Sequence, residues 1–134
     1  MEQGEAFERV MCVEDDPDIR LILDFSLARM GGLTLCLCES GVQALQRVQD
    51  FRPQLVLLDV MMPEMSGLET LVQLRALPQM QGVPIVFLTA KAMQDEVEAL
   101  LEHGATGVIV KPFDPVALPE NIRIYWDHGR GIQA

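Results

Sequence analysis

Five short apolar runs, separated by segments of helical period, restrict the folds open to this chain more than any other feature. They are RVMCV (9–13), LTLCLC (33–38), LVLLD (55–59), PIVFLT (84–89) and GVIVK (107–111). Two parallel strands must be joined by a crossover, usually a helix, so strands alternating with helices predict βα units around a parallel sheet. The third and fourth runs are apolar on both parities, which predicts central strands covered on both faces.

The intervening segments carry helix signals. Asp16 is the expected N-cap of a first helix, with Pro17 in its first turn, Ile19, Ile22, Leu23 and Leu27 on one stripe and Gly31 at its end. Ser40 precedes Val42, Leu45 and Val48; Ser66 precedes Leu68, Leu71, Val72 and Arg75, each set at helical spacing. A fourth helix over MQDEVEALLEHGA is expected to close at Gly104. Pro119 would clash inside a helix already running from Asp114, so the fifth helix is expected to follow a short turn and begin near Pro119.

Such a chain of 134 residues is long enough for one domain and is expected to be a single unit, core about residues 8–127, without an output domain. The net charge of −10 argues against direct nucleic-acid binding, which draws on clustered Lys and Arg, and favours cations and basic protein surfaces as partners. Cys12, Cys36 and Cys38 match none of the usual zinc spacings and are expected to be small core hydrophobes in a reducing compartment. With no signal peptide and no apolar run of about 18 residues, a cytoplasmic protein without membrane insertion is expected.

In an open parallel sheet ligands bind outside the carboxyl ends of the strands. There the first run ends in VEDD (13–16), the third in Asp59, the fourth in Thr89 and the fifth in Lys111, one of only two lysines, the other being Lys91. Converging carboxylates repel and are costly to desolvate, so a cation is implied, and hard oxygen donors suit Mg2+. A carboxylate nucleophile, a metal, an ammonium and a hydroxyl suit a phosphoryl group carried on an aspartate.

These residues resemble the receiver domain of two-component response regulators. The matching motifs are VEDDPDIR (13–20), LLDVMMPEMSGLE (57–69), FLTA (87–90) and VKPF (110–113), in the family's order and intervals. The resemblance implies a three-layer α/β/α, flavodoxin-like (βα)5 fold with a five-stranded parallel sheet of order 2-1-3-4-5. It also implies Asp59 as phosphoacceptor, Asp15 as direct Mg2+ ligand, Glu14 as ligand through water, and Met61 as donor of a backbone carbonyl to the metal. Thr89 and Lys111 correspond to the phosphate-binding hydroxyl and ammonium, and the bond before Pro112 should be cis. Met61 and Lys91 match positions that adjust access of water to the acyl phosphate.

The implied partners are a histidine kinase or histidine phosphotransfer protein, then a downstream protein or a second copy bound through the face of the fourth helix, fifth strand and fifth helix. The chain departs from the family at Val108, where a Tyr or Phe is usual, so a readout through a moving ring is weakened or replaced. That departure leaves a phosphorylation-independent interaction module as an alternative. A haloacid dehalogenase-like phosphatase is a further one, although Met61 stands where that class needs a second Asp. His103 and His128 read as surface or helix-end histidines; Tyr125 and Trp126 read either as cover for the core or as part of the partner-binding face.

Overall fold

The computed structural model describes residues 6–90 and 93–133; Lys91 lies outside the described residues. The strands are β1 (Arg9–Val13), β2 (Thr34–Cys38), β3 (Leu55–Asp59), β4 (Ile85–Thr89) and β5 (Gly107–Val110). They form one parallel sheet of order β2-β1-β3-β4-β5, as expected. β3 and β4 are buried at every residue, as their two-sided apolar character requires.

The helices are α1 (Pro17–Leu23), α2 (Gly41–Phe51), α3 (Gly67–Arg75), α4 (Gln94–Glu102) and α5 (Leu118–Gln133). One core layer lies under α1 and α5, where Leu23, Leu27, Leu118, Ile122 and Trp126 meet Val10, Leu55, Leu57, Val86 and Leu88. The other lies under α2, α3 and α4, where Val48, Leu71, Leu74 and Leu100 meet Met11, Val56, Leu58, Ile85 and Phe87. Alternate strand residues feed the two layers because successive side chains point to opposite faces.

The caps follow the sequence. Asp16 accepts from the Asp18 N–H at 2.9 Å, and Ser40 accepts from the Gln43 N–H at 3.1 Å. Ser66 and Glu69 form a reciprocal capping box. Gly104, at φ 112°, follows the end of α4, and α5 starts one residue before Pro119, after a short turn.

The helix stripes need correction. Ile22 is 41% exposed, Val42 44% and Val72 50%, whereas Ala44, Thr70 and Ser26 are buried. Small residues allow close approach: a Cβ on Gly41 would run into Thr70 Oγ1 and the Met65 side chain, so α2 and α3 meet through atoms that a hydrophobicity count ignores.

Beyond Leu23 the first helix continues in π-helical turns over Asp24–Met30, with Gly31 N–H bonded to Ser26 O at 3.1 Å. The Ser26 hydroxyl, turned into the protein, donates to Pro115 O at 2.5 Å and ties this segment to the loop before α5.

Both aromatic residues of α5 cover the core. Trp126 stacks on Phe7 with centroids 4.8 Å apart, and the Tyr125 hydroxyl lies 3.5 Å from Val108 O, where it donates. The Tyr125 ring occupies the space where a Cβ on Gly107 would fall, which accounts for glycine at the start of β5.

Candidate functional site

The carboxyl ends of β1, β3, β4 and β5 place the polar residues on one rim. Asp59 is paired with Leu88 in the sheet register, so Thr89 stands one step beyond it, and Lys111 N–H bonds Thr89 O at 2.8 Å. Ligand oxygens of Glu14, Asp15 and Asp59 all lie within 4.8 Å of one another. Lys111 Nζ is 2.9 Å from Glu14 Oε1 and 3.3 Å from Asp59 Oδ1. A single ammonium thus clamps two carboxylates.

Backbone groups fix both acids. Asp16 N–H donates to Glu14 Oε2 at 3.2 Å, and Met61 N–H donates to Asp59 Oδ1 at 3.3 Å. Glu14 N–H is anchored on Cys38 O of the edge strand at 2.9 Å, and Arg20 holds Glu14 O at 2.8 Å. Behind Asp59, Gly67 lets the start of α3 approach closely, because a Cβ there would strike Asp59 O and the Val60 Cα. The connecting loop closes Met65 N–H on Pro63 O at 2.8 Å around Glu64 at φ 70°, a γ-turn of the rarer hand.

Burial sets the electrostatics. Glu14 is 1% exposed and Asp59 5%. Burial pushes the Glu14 carboxyl up to about 7; the Asp59 charge adds to the rise, and the Lys111 hydrogen bond opposes it. Burial also raises Asp59, against the pull of Lys111. For Lys111, burial acts downward, but its bond to Glu14 and the Asp59 charge prevail and hold the ammonium above its ordinary value. The site therefore carries more negative charge than one lysine balances, and a proton on the Glu14–Asp59 pair or a bound cation relieves it.

Hard carboxylate oxygens, with Asp15 half-buried and Met61 exposed next to Asp59, are a donor set suited to Mg2+. Asp16, by contrast, is the α1 N-cap and stands outside the cluster. Lys111–Pro112 is cis, as expected. His103 is exposed at the end of α4, its Nδ1 2.8 Å from Ala99 O, and His128 is exposed on α5. Two supports carry no signal in the sequence: the Glu14 N–H bond to Cys38 O, which involves backbone alone, and the choice of Glu14 as the nearer partner of Lys111.

An open parallel α/β/α sandwich with three clustered carboxylates, a hydroxyl and a lysine at its strand ends defines a class of strand-end acidic-site proteins. The model of the response regulator receiver domain matches residues 10–123, and the chain belongs to that family.

The DNA-binding response regulator MtrA of Mycobacterium tuberculosis is 41% identical over 116 residues, which are 87% of this chain and 49% of that protein. The chain spans about half the length of this and the other MtrA relatives. An uncharacterized 14.6 kDa protein of Leptolyngbya boryana is 34% identical over 87% of this chain and 88% of its own length.

Among solved structures, the chemotaxis protein CheY4 of Vibrio cholerae matches with a TM-score of 0.84 at 30% identity, over 90% of this chain and 99% of its own. The receiver domain of the sensor histidine kinase PA1611 of Pseudomonas aeruginosa, solved with magnesium coordinated in its active-site cleft, matches with a TM-score of 0.81 at 28% identity, over 91% and 99%.

Proposed function

We propose that this receiver domain accepts a phosphoryl group on Asp59 from a histidine kinase or histidine phosphotransfer protein and thereby changes its affinity for a partner. The observation that carries this reading is the convergence of Glu14, Asp15 and Asp59, with Lys111 bridging two of them. An Asp59 oxygen attacks the phosphorus, the O–P bond forms, and the N–P bond to the donor imidazole breaks. Lys111 Nζ, already 3.3 Å from Asp59, follows the charge onto the equatorial phosphoryl oxygens, and the Thr89 hydroxyl donates to another.

Glu14, Asp15, Asp59 and the Met61 carbonyl would hold Mg2+, which supplies charge neutralisation at the acyl phosphate. The PA1611 domain, which holds magnesium in its cleft, supports this assignment by likeness. The domain is a switch that catalyses only its own phosphorylation and dephosphorylation.

Val108 is half-buried against the α2–α3–α4 layer, so the readout passes through something other than a moving ring at that position. The α4–β5–α5 face, where Leu101 and Val110 are exposed, is the surface through which a downstream protein or a second copy would bind. MtrA is a DNA-binding response regulator; for this net-acidic domain a protein partner fits better.

Incubation with acetyl phosphate and Mg2+, read by intact mass, tests the assignment. One added phosphoryl group on the wild type and none on Asp59→Asn is the expected result; equal labelling of both would overturn it, and no labelling of the wild type would leave the phosphorylation-independent module in its place.

A further inference from the structure

The outer face of the first helix leaves large apolar side chains in water. Leu21 is 69% exposed, Phe25 53% and Ile22 41%, and across from them, in the loop before α5, Val116 is 70% exposed. With Pro115 they line a groove of about 630 Å3, walled by the helix on one side and the loop on the other. Ser26, turned inward on the same helix, donates to Pro115 O, so the two walls are tied together and the groove has a set width. The π-helical turns begin within this face, and such turns recur at functional sites. A contiguous apolar patch of this kind marks a place of contact.

Charge indicates what covers it. With a net charge of −10, two copies of the chain repel one another over most of their surface. The groove is different: among the described residues its lining holds one acid, Asp24, and one base, Arg29. These form an ion pair at 3.7 Å with the Arg29 side chain 75% exposed, which contributes little within a single chain. Around a two-fold axis, however, the pair of one copy can lie against the pair of the other with opposite signs facing, so each acid gains a second base. Shape is self-complementary as well, since each copy offers both a groove and, at its rim, the projecting Leu21 and Val116. An anionic lipid surface is repelled by the net charge, and a strongly basic partner gains nothing from a neutral lining.

We propose that this face, made by the first helix and the loop before α5, is a two-fold interface between copies of the chain, separate from the α4–β5–α5 face. Leu21, Ile22, Phe25 and Val116 form its apolar centre, and Asp24 and Arg29 set its orientation.

Sedimentation velocity of the full, unphosphorylated chain from micromolar to millimolar concentration tests the interface. A reversible monomer–dimer equilibrium is expected, with a dissociation constant of about 10–100 µM for a patch of this extent. Leu21→Glu and Val116→Glu, both at exposed positions, should each weaken it about tenfold or more, whereas Leu101→Glu on the α4–β5–α5 face should leave it unchanged. Asp24→Arg and Arg29→Asp should each weaken self-association, because like charges then meet across the axis. An equimolar mixture of the two should nevertheless pair at least as well as the wild type, since every facing pair is again of opposite sign. A dimer indifferent to Leu21→Glu or Val116→Glu, a dimer lost in Leu101→Glu, or a mixture no better than its components would each overturn the proposal. A chain that stays monomeric throughout would overturn it too and leave the groove to a different protein.

Discussion

Each end of the sheet holds a sequestered cation, and the two are satisfied in opposite ways. At the carboxyl end Lys111 faces two carboxylates, and the site is left with surplus negative charge and a half-buried third carboxylate, Asp15. Near the amino ends of β4 and β5, half-buried Arg75 faces backbone carbonyls among the described residues. Its Nε and Nη2 donate to Gly104 O at 3.1 and 3.0 Å, and its Nη1 to Met80 O at 2.9 Å and Val83 O at 2.7 Å.

Gln54 does similar work nearby, bonding Glu8 N–H, Arg9 N–H and Ala6 O. Burial lowers the Arg75 pKa, whereas Lys111 is held up by its acids. A polar group whose partners are fixed dipoles locks the fold; one whose partners are mobile charges leaves chemistry available.

The sharpest test of this contrast pairs two substitutions. Lys111→Met is expected to slow phosphorylation of Asp59 by acetyl phosphate about 10²- to 10³-fold, as loss of an electrostatic stabiliser does, in quench-and-mass time courses. Arg75→Met should leave that rate near wild type below its melting transition but cost about 2–4 kcal/mol in urea unfolding, because the carbonyls of Met80, Val83 and Gly104 each lose the guanidinium as a donor. If Arg75→Met instead suppressed phosphorylation in the folded protein, the division of labour between the two ends would be wrong.

A third experiment uses pH. The folded Glu14 carboxyl is raised from its ordinary 4.5 to about 7, so between these values the native state binds more protons than the unfolded one. Its contribution to stability is full below about pH 4.5 and is lost as pH rises through about 7. On the proposed function Mg2+ would take the place of that proton, so millimolar Mg2+ should raise the melting temperature more at pH 8 than at pH 6. An increment independent of pH would break the link between burial of Glu14 and the metal.

The smallest expected effect is at Ser66. Removal of its capping box in Ser66→Ala should cost about 1 kcal/mol of stability, measured by thermal melting, without changing the stoichiometry of phosphorylation.

The strands and the rim residues were legible because each rests on a local signal: a two-sided apolar run for β3 and β4, and a charged or hydroxyl residue at the exit of an apolar run for Asp59, Thr89 and Lys111. The stripe of α3 departs from expectation at Val72, whereas Arg75, set on the same stripe by its spacing, does turn inward. It is drawn in by carbonyls of two separate loops, Met80 O and Val83 O before β4 and Gly104 O before β5, and no local period encodes those carbonyls. Val72 points outward because Gly41 and Thr70 bring α2 close on the other side. The π-helical turns past Leu23 depend on Ser26 reaching Pro115, a contact 89 positions away that periodicity cannot report.

The space shared by Gly107 and Tyr125 has a consequence for how this chain can vary. Any residue larger than glycine at 107 overlaps the ring at 125, so the first change is costly unless the second has already been made. Alanine at 107 combined with a small side chain at 125 should recover much of what alanine alone loses. The two positions are therefore expected to vary together rather than singly, and a glycine that looks like backbone accommodation in one sequence is the imprint of an aromatic residue 18 positions downstream.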